Sequence, residues 1–265
     1  MKRLIFDLTA TAVVAAIVLF ACNKSQVENV EFSAMEEQTL INPANPDNPF
    51  DYYGDLHNKS LRIALDELKD SPNASFEERI RVSGQATQKV LSEEGMAMSK
   101  ATVDTAEFMA ALEFLIDDME NNYVNFIAAL NLDTYTKNQL QILTQELIAM
   151  SKFEDLEYDD VHSKIVEFET NVLNHIITIS DNDMEDILAC TSTMRHSLSF
   201  WTNEKGLFHN DNSVNPEKWR WYHYIIVAAA DAFGATVACE SGPAFAVGLG
   251  VACSGIAAAI IDDNK

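Results

Sequence analysis

Between Asp104 and Asn131 the residues Phe108, Leu112, Leu115, Met119, Tyr123, Phe126 and Leu130 recur every three or four positions. That spacing lines one side of an α-helix and no side of a strand. The same rule governs Leu61, Ala64, Leu65 and Leu68, then Leu140, Leu143, Leu147 and Met150, then Val161, Ile165, Phe168, Val172 and Ile176, and finally Met184, Ile187, Leu188, Met194, Leu198 and Trp201. Glycine and proline, at 9 and 6 in 265 residues, are too few for a turn-rich β chain. The periodicity therefore predicts an all-α fold, a helical bundle of about six helices over residues 48–202, with the 104–131 helix as its spine.

Local chemistry places several helix starts. Asn48 followed by Pro49 and Asp51 reads as an N-cap, a first-turn proline and an acid facing the helix dipole. Ser75-Phe76-Glu77-Glu78 reads as a capping box, and Asn182 with Glu185 as a cap pair. Residues 203–215 form a looser stretch, after which the composition changes. Trp219 to Tyr224 is aromatic, and Ala244 to Ile261 is almost wholly apolar beyond a Glu240-Ser241-Gly242-Pro243 turn. Ala246, Gly250 and Ser254 are spaced by four, as are Gly255 and Ala259, and with Gly234 and Ala238 they predict a tight apolar helical hairpin over residues 203–265. Burial on or beside the bundle is the favoured place for it, because Asp231 and Glu240 are costly in lipid. Insertion into a bilayer, with the Trp and Tyr flank at the interface, is the competing place.

The N-terminus reads as an address. Lys2 and Arg3 precede an apolar run from Ala10 to Phe20 broken only by Thr11, too short to span a bilayer comfortably. Leu19-Phe20-Ala21-Cys22 resembles the lipobox of bacterial lipoproteins. The resemblance implies a signal peptide over residues 1–21, cleavage before Cys22 and acyl chains on its sulfur, hence an envelope location, expected at the outer membrane. Residues 22–47 are polar, aperiodic and end in Asn42-Pro43-Ala44-Asn45-Pro46-Asp47, which predicts a flexible tether.

Asn48-Pro49-Phe50-Asp51-Tyr52-Tyr53-Gly54-Asp55-Leu56-His57-Asn58 resembles the opening of a group of Bacteroidota lipoproteins that share an N-P-F/Y-D-Y-x-G-x-x-H-N segment and a small-residue-rich C-terminal stretch. The resemblance implies no activity. Asp104-Thr105-Ala106 also resembles the short O-glycosylation sequon of that phylum, and a helix start explains it equally well.

With 41 acidic and 18 basic residues the formal net charge is -23, a field that repels nucleic acid and anionic lipid. If Cys22 is acylated, Cys190, Cys239 and Cys253 remain, and the one bridge they allow is expected to join Cys190 to Cys239 or Cys253, with buried thiols as the alternative. A Cys239–Cys253 bridge is geometrically awkward, because Cys253 lies about 15 Å along a straight helix from the turn.

No hydrolase, zinc-protease or nucleotide-binding motif occurs, and Asp159 with His162 is a single D-x-x-H where a di-metal bundle needs a matched pair. No catalytic residue, metal or cofactor is expected. Tyr53 and His57 share a helix face, a spacing more typical of core or interface than of catalysis. The expectation is a lipid-anchored envelope protein with a binding or structural role, whose partners are the membrane, through Cys22, and an envelope protein. Two alternatives are a bacteriocin-like protein inserting its hairpin and a hydrolase with a carboxylate site that leaves no linear signature.

Overall fold

The computed structural model describes residues 42–69, 71, 74–96, 119–130, 132–175, 179–203, 219–239 and 243–263. Cys22, the signal segment, the sequon at 104–106, the first half of the expected spine, His209 and the turn at 240–242 lie outside the described residues. Among the described residues there are eight helices and no strand. They are α1 (Tyr52–Leu68), α2 (Phe76–Glu93), α3 (Met119–Ala129), α4 (Thr134–Met150), α5 (Tyr158–Asn174), α6 (Asp181–Asn203), α7 (Trp221–Cys239) and α8 (Pro243–Asp263). The all-α class holds, with six helices in the bundle and two in the hairpin.

The apolar stripes pack as their spacing dictates. Leu61, Ala64 and Leu68 of α1, Tyr123, Phe126 and Leu130 at α3, Leu140, Leu143 and Leu147 of α4, and Val161, Ile165, Phe168 and Val172 of α5 are all buried. Ser75 caps α2 by accepting from the Glu78 amide at 3.3 Å. At the other end of α2, Gly95 adopts φ +71°, while the Met96 and Gly95 amides donate to the Leu91 and Ser92 carbonyls. This is a Schellman motif, and its left-handed position suits glycine.

Two cap readings change. Asn48 does not cap α1, which starts at Tyr52 after Asp51. At α6 the Asp183 amide donates to Ser180 Oγ at 3.1 Å, and Glu185 instead accepts from the Tyr53 hydroxyl at 2.8 Å. Ser180, two residues before Asn182, wins because its short side chain reaches the Asp183 amide of the first turn.

The central helix is α6. Every residue from Asp186 to Trp201 is buried, and α6 packs against α1, α5 and α7. The expected spine contributes only α3 to the described structure, where it packs beside α4 and sets Phe126 against Phe233 of α7, ring centroids 5.4 Å apart.

The hairpin is interior to the molecule. α7 packs on α6 and α8, and α8 packs on α1, α2 and α7. Gly250 makes the approach possible, since a Cβ there would stand 3.1 Å from the Asp231 carbonyl oxygen of α7. Trp219 is 7% exposed and rests on Trp201 of α6, ring centroids 5.4 Å apart, so this part of the aromatic flank is core. Among the described residues no helix is long and apolar enough to cross a membrane.

Candidate functional site

The segment before α1 carries Asn42-Pro43, Asn45-Pro46 and Asn48-Pro49, an Asn-Pro pair every three residues. Each asparagine side chain accepts from the amide two residues on: Ala44 to Asn42 at 3.1 Å, Asp47 to Asn45 at 3.2 Å and Phe50 to Asn48 at 2.8 Å. The Asn48 and Asp51 amides also donate to the Asn45 and Asn48 carbonyls, closing two consecutive turns. Asparagine forms such Asx turns readily, and proline presets the backbone that follows it. The result is a strap, residues 42–51, with Asn45 and Asn48 only 4% and 3% exposed. The expected tether over 22–47 therefore ends earlier, because its last residues are docked.

The strap docks on a buried ion pair. Arg195 of α6 and Glu169 of α5 are both fully buried, with Arg195 Nε 3.1 Å from Glu169 Oε2. Arg195 Nη1 donates to the Pro43 carbonyl, and Nη2 donates to Asp51 Oδ1 at 2.5 Å. Glu169 accepts from Asn45 Nδ2 at 2.7 Å, Asn48 Nδ2 at 2.8 Å and Thr191 Oγ1 at 2.8 Å. The second amide proton of Asn48 reaches the Leu188 carbonyl at 2.9 Å. A buried ion pair is tolerable only when the remaining lone pairs and protons are satisfied, and here the strap supplies that satisfaction. Burial alone would push the Asp51 carboxyl up, but His196 and the Arg195 guanidinium outweigh it and hold the group at about 2.

Close packing of α1 on α6 completes this side. Ser192 Oγ donates to the Asp51 carbonyl at 2.8 Å and accepts from the Gly54 amide at 3.2 Å. A Cβ on Gly54 would collide with the His196 ring and stand 2.6 Å from the Ser192 carbonyl oxygen, so only glycine fits.

A second polar cluster lies between α1, α6 and the hairpin. His57 and Asp231 are fully buried, Nε2 to Oδ2 3.6 Å apart, and Ser197 Oγ hydrogen-bonds Asp231 Oδ2. Trp201 Nε1 donates to Ser254 Oγ at 3.0 Å, next to the same carboxyl. Burial raises the Asp231 carboxyl well above its ordinary range, against the pull of Ser197 and Ser254. Burial likewise lowers His57 to about 4, aided by the charge of His196 and opposed by Asn58 and the Gly250 backbone. Both groups favour their neutral forms. Tyr53 is also fully buried, so the Tyr53 and His57 face is core.

Of the two expected bridges, the one from Cys190 to Cys253 is not formed, since both are buried thiols. Trp201 is the α6 residue that reaches Ser254 beside Cys253. Cys190 lies three turns away from it, roughly 16 Å along the axis, beyond the span of a disulfide. Cys253 instead fills the place that the missing side chain of Gly234 leaves on α7. The Cys239 side chain lies outside the described residues.

His162 of α5 stacks on Tyr158, with ring centroids 5.4 Å apart, and lies against the Pro43 backbone. Asp159 is solvent-facing, and among the described residues no group of three His, Cys, Asp or Glu is placed to hold a metal ion. Glu169 and Asp231 are both fully buried, so neither is positioned to trade a proton with a substrate arriving from solvent.

Sequence reasoning missed Arg195, Glu169, Asn45 and Asn48. The repeated Asn-Pro pair was the one available signal, since three consecutive Asx turns make a shape rather than a random tether. Arg195 gives no linear signal within a helix that reads as amphipathic.

No protein-family model, curated protein or solved structure matches the chain.

Proposed function

We propose that this chain is a lipid-anchored envelope protein, tethered through Cys22, whose helical body binds or supports another envelope component and does no catalysis. The observation that carries the reading is the docking of the strap on Arg195 and Glu169. A body held to a membrane by its N-terminus transmits any load through the first docked residues. Here those residues run into the middle of the central helix, through charge-assisted hydrogen bonds. Between Cys22 and Pro43 the chain reaches no more than about 75 Å when fully extended, which limits how far the body can stand from the membrane.

Burial of α7 and α8 against α1, α2 and α6 weighs against the membrane-inserting alternative, since insertion would first expose the polar cluster around Asp231. The interior position of the carboxylates weighs against the hydrolase alternative.

The address is tested by growing cells with a clickable fatty-acid analogue and comparing the native chain with Cys22→Ser. The expected outcome is label on the native protein alone, with the variant released to the soluble fraction. Equal labelling, or a native protein that keeps Met1, would remove the anchor and the reading with it. Liposome leakage assays at neutral pH are expected to show none; leakage lost on deleting residues 219–261 would favour the membrane-active alternative.

A further inference from the structure

Arg195 holds both ends of the strap with one guanidinium, Nη1 on the Pro43 carbonyl and Nη2 on Asp51 Oδ1 at 2.5 Å. Glu169 holds its middle, through Asn45 and Asn48. Residues 43–51 therefore arch over the ion pair with their ends about 10 Å apart or less, whereas the same stretch spans about 28 Å when extended.

The strap is attached differently from the helices it lies on. No apolar side chain of residues 43–50 is fully buried: Ala44, Pro46 and Pro49 are exposed, while Pro43 and Phe50 are half-buried. Hydrogen bonds hold it, and each contributes little net, because water takes the partner's place when the bond opens. Beneath it, α5 and α6 are held by Val161, Ile165, Ile187 and Leu188, none of which is exposed at all. Water offers no substitute for that apolar burial.

The contacts also stand in series from the N-terminal side. Pro43 meets Arg195, then Asn45 meets Glu169, then Asn48 meets Glu169 and the Leu188 carbonyl. A pull at residue 42 loads them one after another rather than together. Asp51 is where peeling stops. Its carbonyl accepts from Ser192 Oγ at 2.8 Å, its carboxylate stays on Arg195, and the fully buried Tyr53 follows in α1. With residues 43–50 off, Arg195 keeps Asp51 and Glu169 as counter-ions, so opening strands no buried charge.

We propose that residues 43–50 form a tension-released clasp: a pull from the N-terminal side peels them from α5 and α6 in one step, lengthening the link to the body while the bundle stays folded. That tension arrives from this side in the cell rests on the anchorage at Cys22 proposed above, whereas the order of release is a property of the fold.

Optical-trap pulling of the full chain tests the clasp, with handles on p-azidophenylalanine in place of Lys24 and of Asn264. The expected result is a first, reversible lengthening of about 20 Å, at a force that leaves the bundle folded. Handles in place of Asp55 and Asn264 bypass the strap and are expected to abolish that step. Asn45→Ala with Asn48→Ala is expected to shift the clasp toward its open form on the order of 30-fold at a given force. Lengthening that comes only with unfolding of the bundle overturns the clasp. So does a first step that persists with the handle at position 55, or one that the double variant leaves at the same force. Should that variant not fold, the two handle positions decide alone. Acyl chains on Cys22 affect none of these outcomes, so a failed clasp and a failed anchor are told apart.

Discussion

Arg195 Nη2 donates to Asp51 Oδ1 at 2.5 Å, joining two residues 144 positions apart and tying the start of α1 to the middle of α6. The guanidinium has no exposure to water, and among the described residues its charge is balanced by Asp51 and Glu169. Removing one partner strands the others.

Arg195→Met is therefore expected to cost about 3–5 kcal/mol, because Glu169 is left as an uncompensated buried carboxylate. The double variant Arg195→Met with Glu169→Leu should recover part of that loss. Urea denaturation of the four proteins of the cycle measures it, and a double variant as unstable as the sum of the singles would show that the two residues do not act together.

Asn48→Ala deletes two donated bonds, to Glu169 and the Leu188 carbonyl, and one accepted from the Phe50 amide. The expected cost is about 2–3 kcal/mol, since buried acceptors lose their donors. Limited proteolysis should show cleavage within residues 43–51 well before the bundle itself is cut. A strap as resistant as in the native chain would contradict its docking.

Gly54→Ala is expected to push α1 from α6 at a cost of about 1–3 kcal/mol by overpacking. Gly95→Ala, strained only by its positive φ of 71° with nothing within 4 Å, should cost about 1 kcal/mol. Thermal melts of the two variants should rank in that order.

Asp51 is depressed to about 2 from an ordinary 3.8. The stability it confers is present above about pH 4 and is lost as pH falls toward 2, because the unfolded carboxyl takes up its proton first. Unfolding of the native chain at pH 2 to 5 should show this limb, and Asp51→Asn should flatten it.

Cys190 and Cys253 as buried thiols predict that reductant leaves the melting curve unchanged. Both should react with a thiol reagent in denaturant without prior reduction, and resist it in the folded chain.

The stripes of α1, α4 and α5 and the cap at Ser75 were legible because each depends on residues within a few turns of one another. The small residues of the hairpin announced a close approach for the same reason, and Gly250 makes it. The place of α6 was not legible. Its Thr191, Ser192, Arg195, His196 and Ser197 are polar and carry no apolar spacing, yet all are buried.

By itself the sequence determined that the chain forms amphipathic helices followed by an apolar hairpin, since a period of 3.6 is a property of neighbouring residues. Only the tertiary structure decided which helix is central, that the Asn-Pro segment is a docked strap, and that Cys190 stays a thiol. Those outcomes depend on partners 121 to 152 residues away, from Asn48 with Glu169 to Pro43 with Arg195. A buried charge becomes affordable to a fold only once its distant counter-ion and donors have arrived.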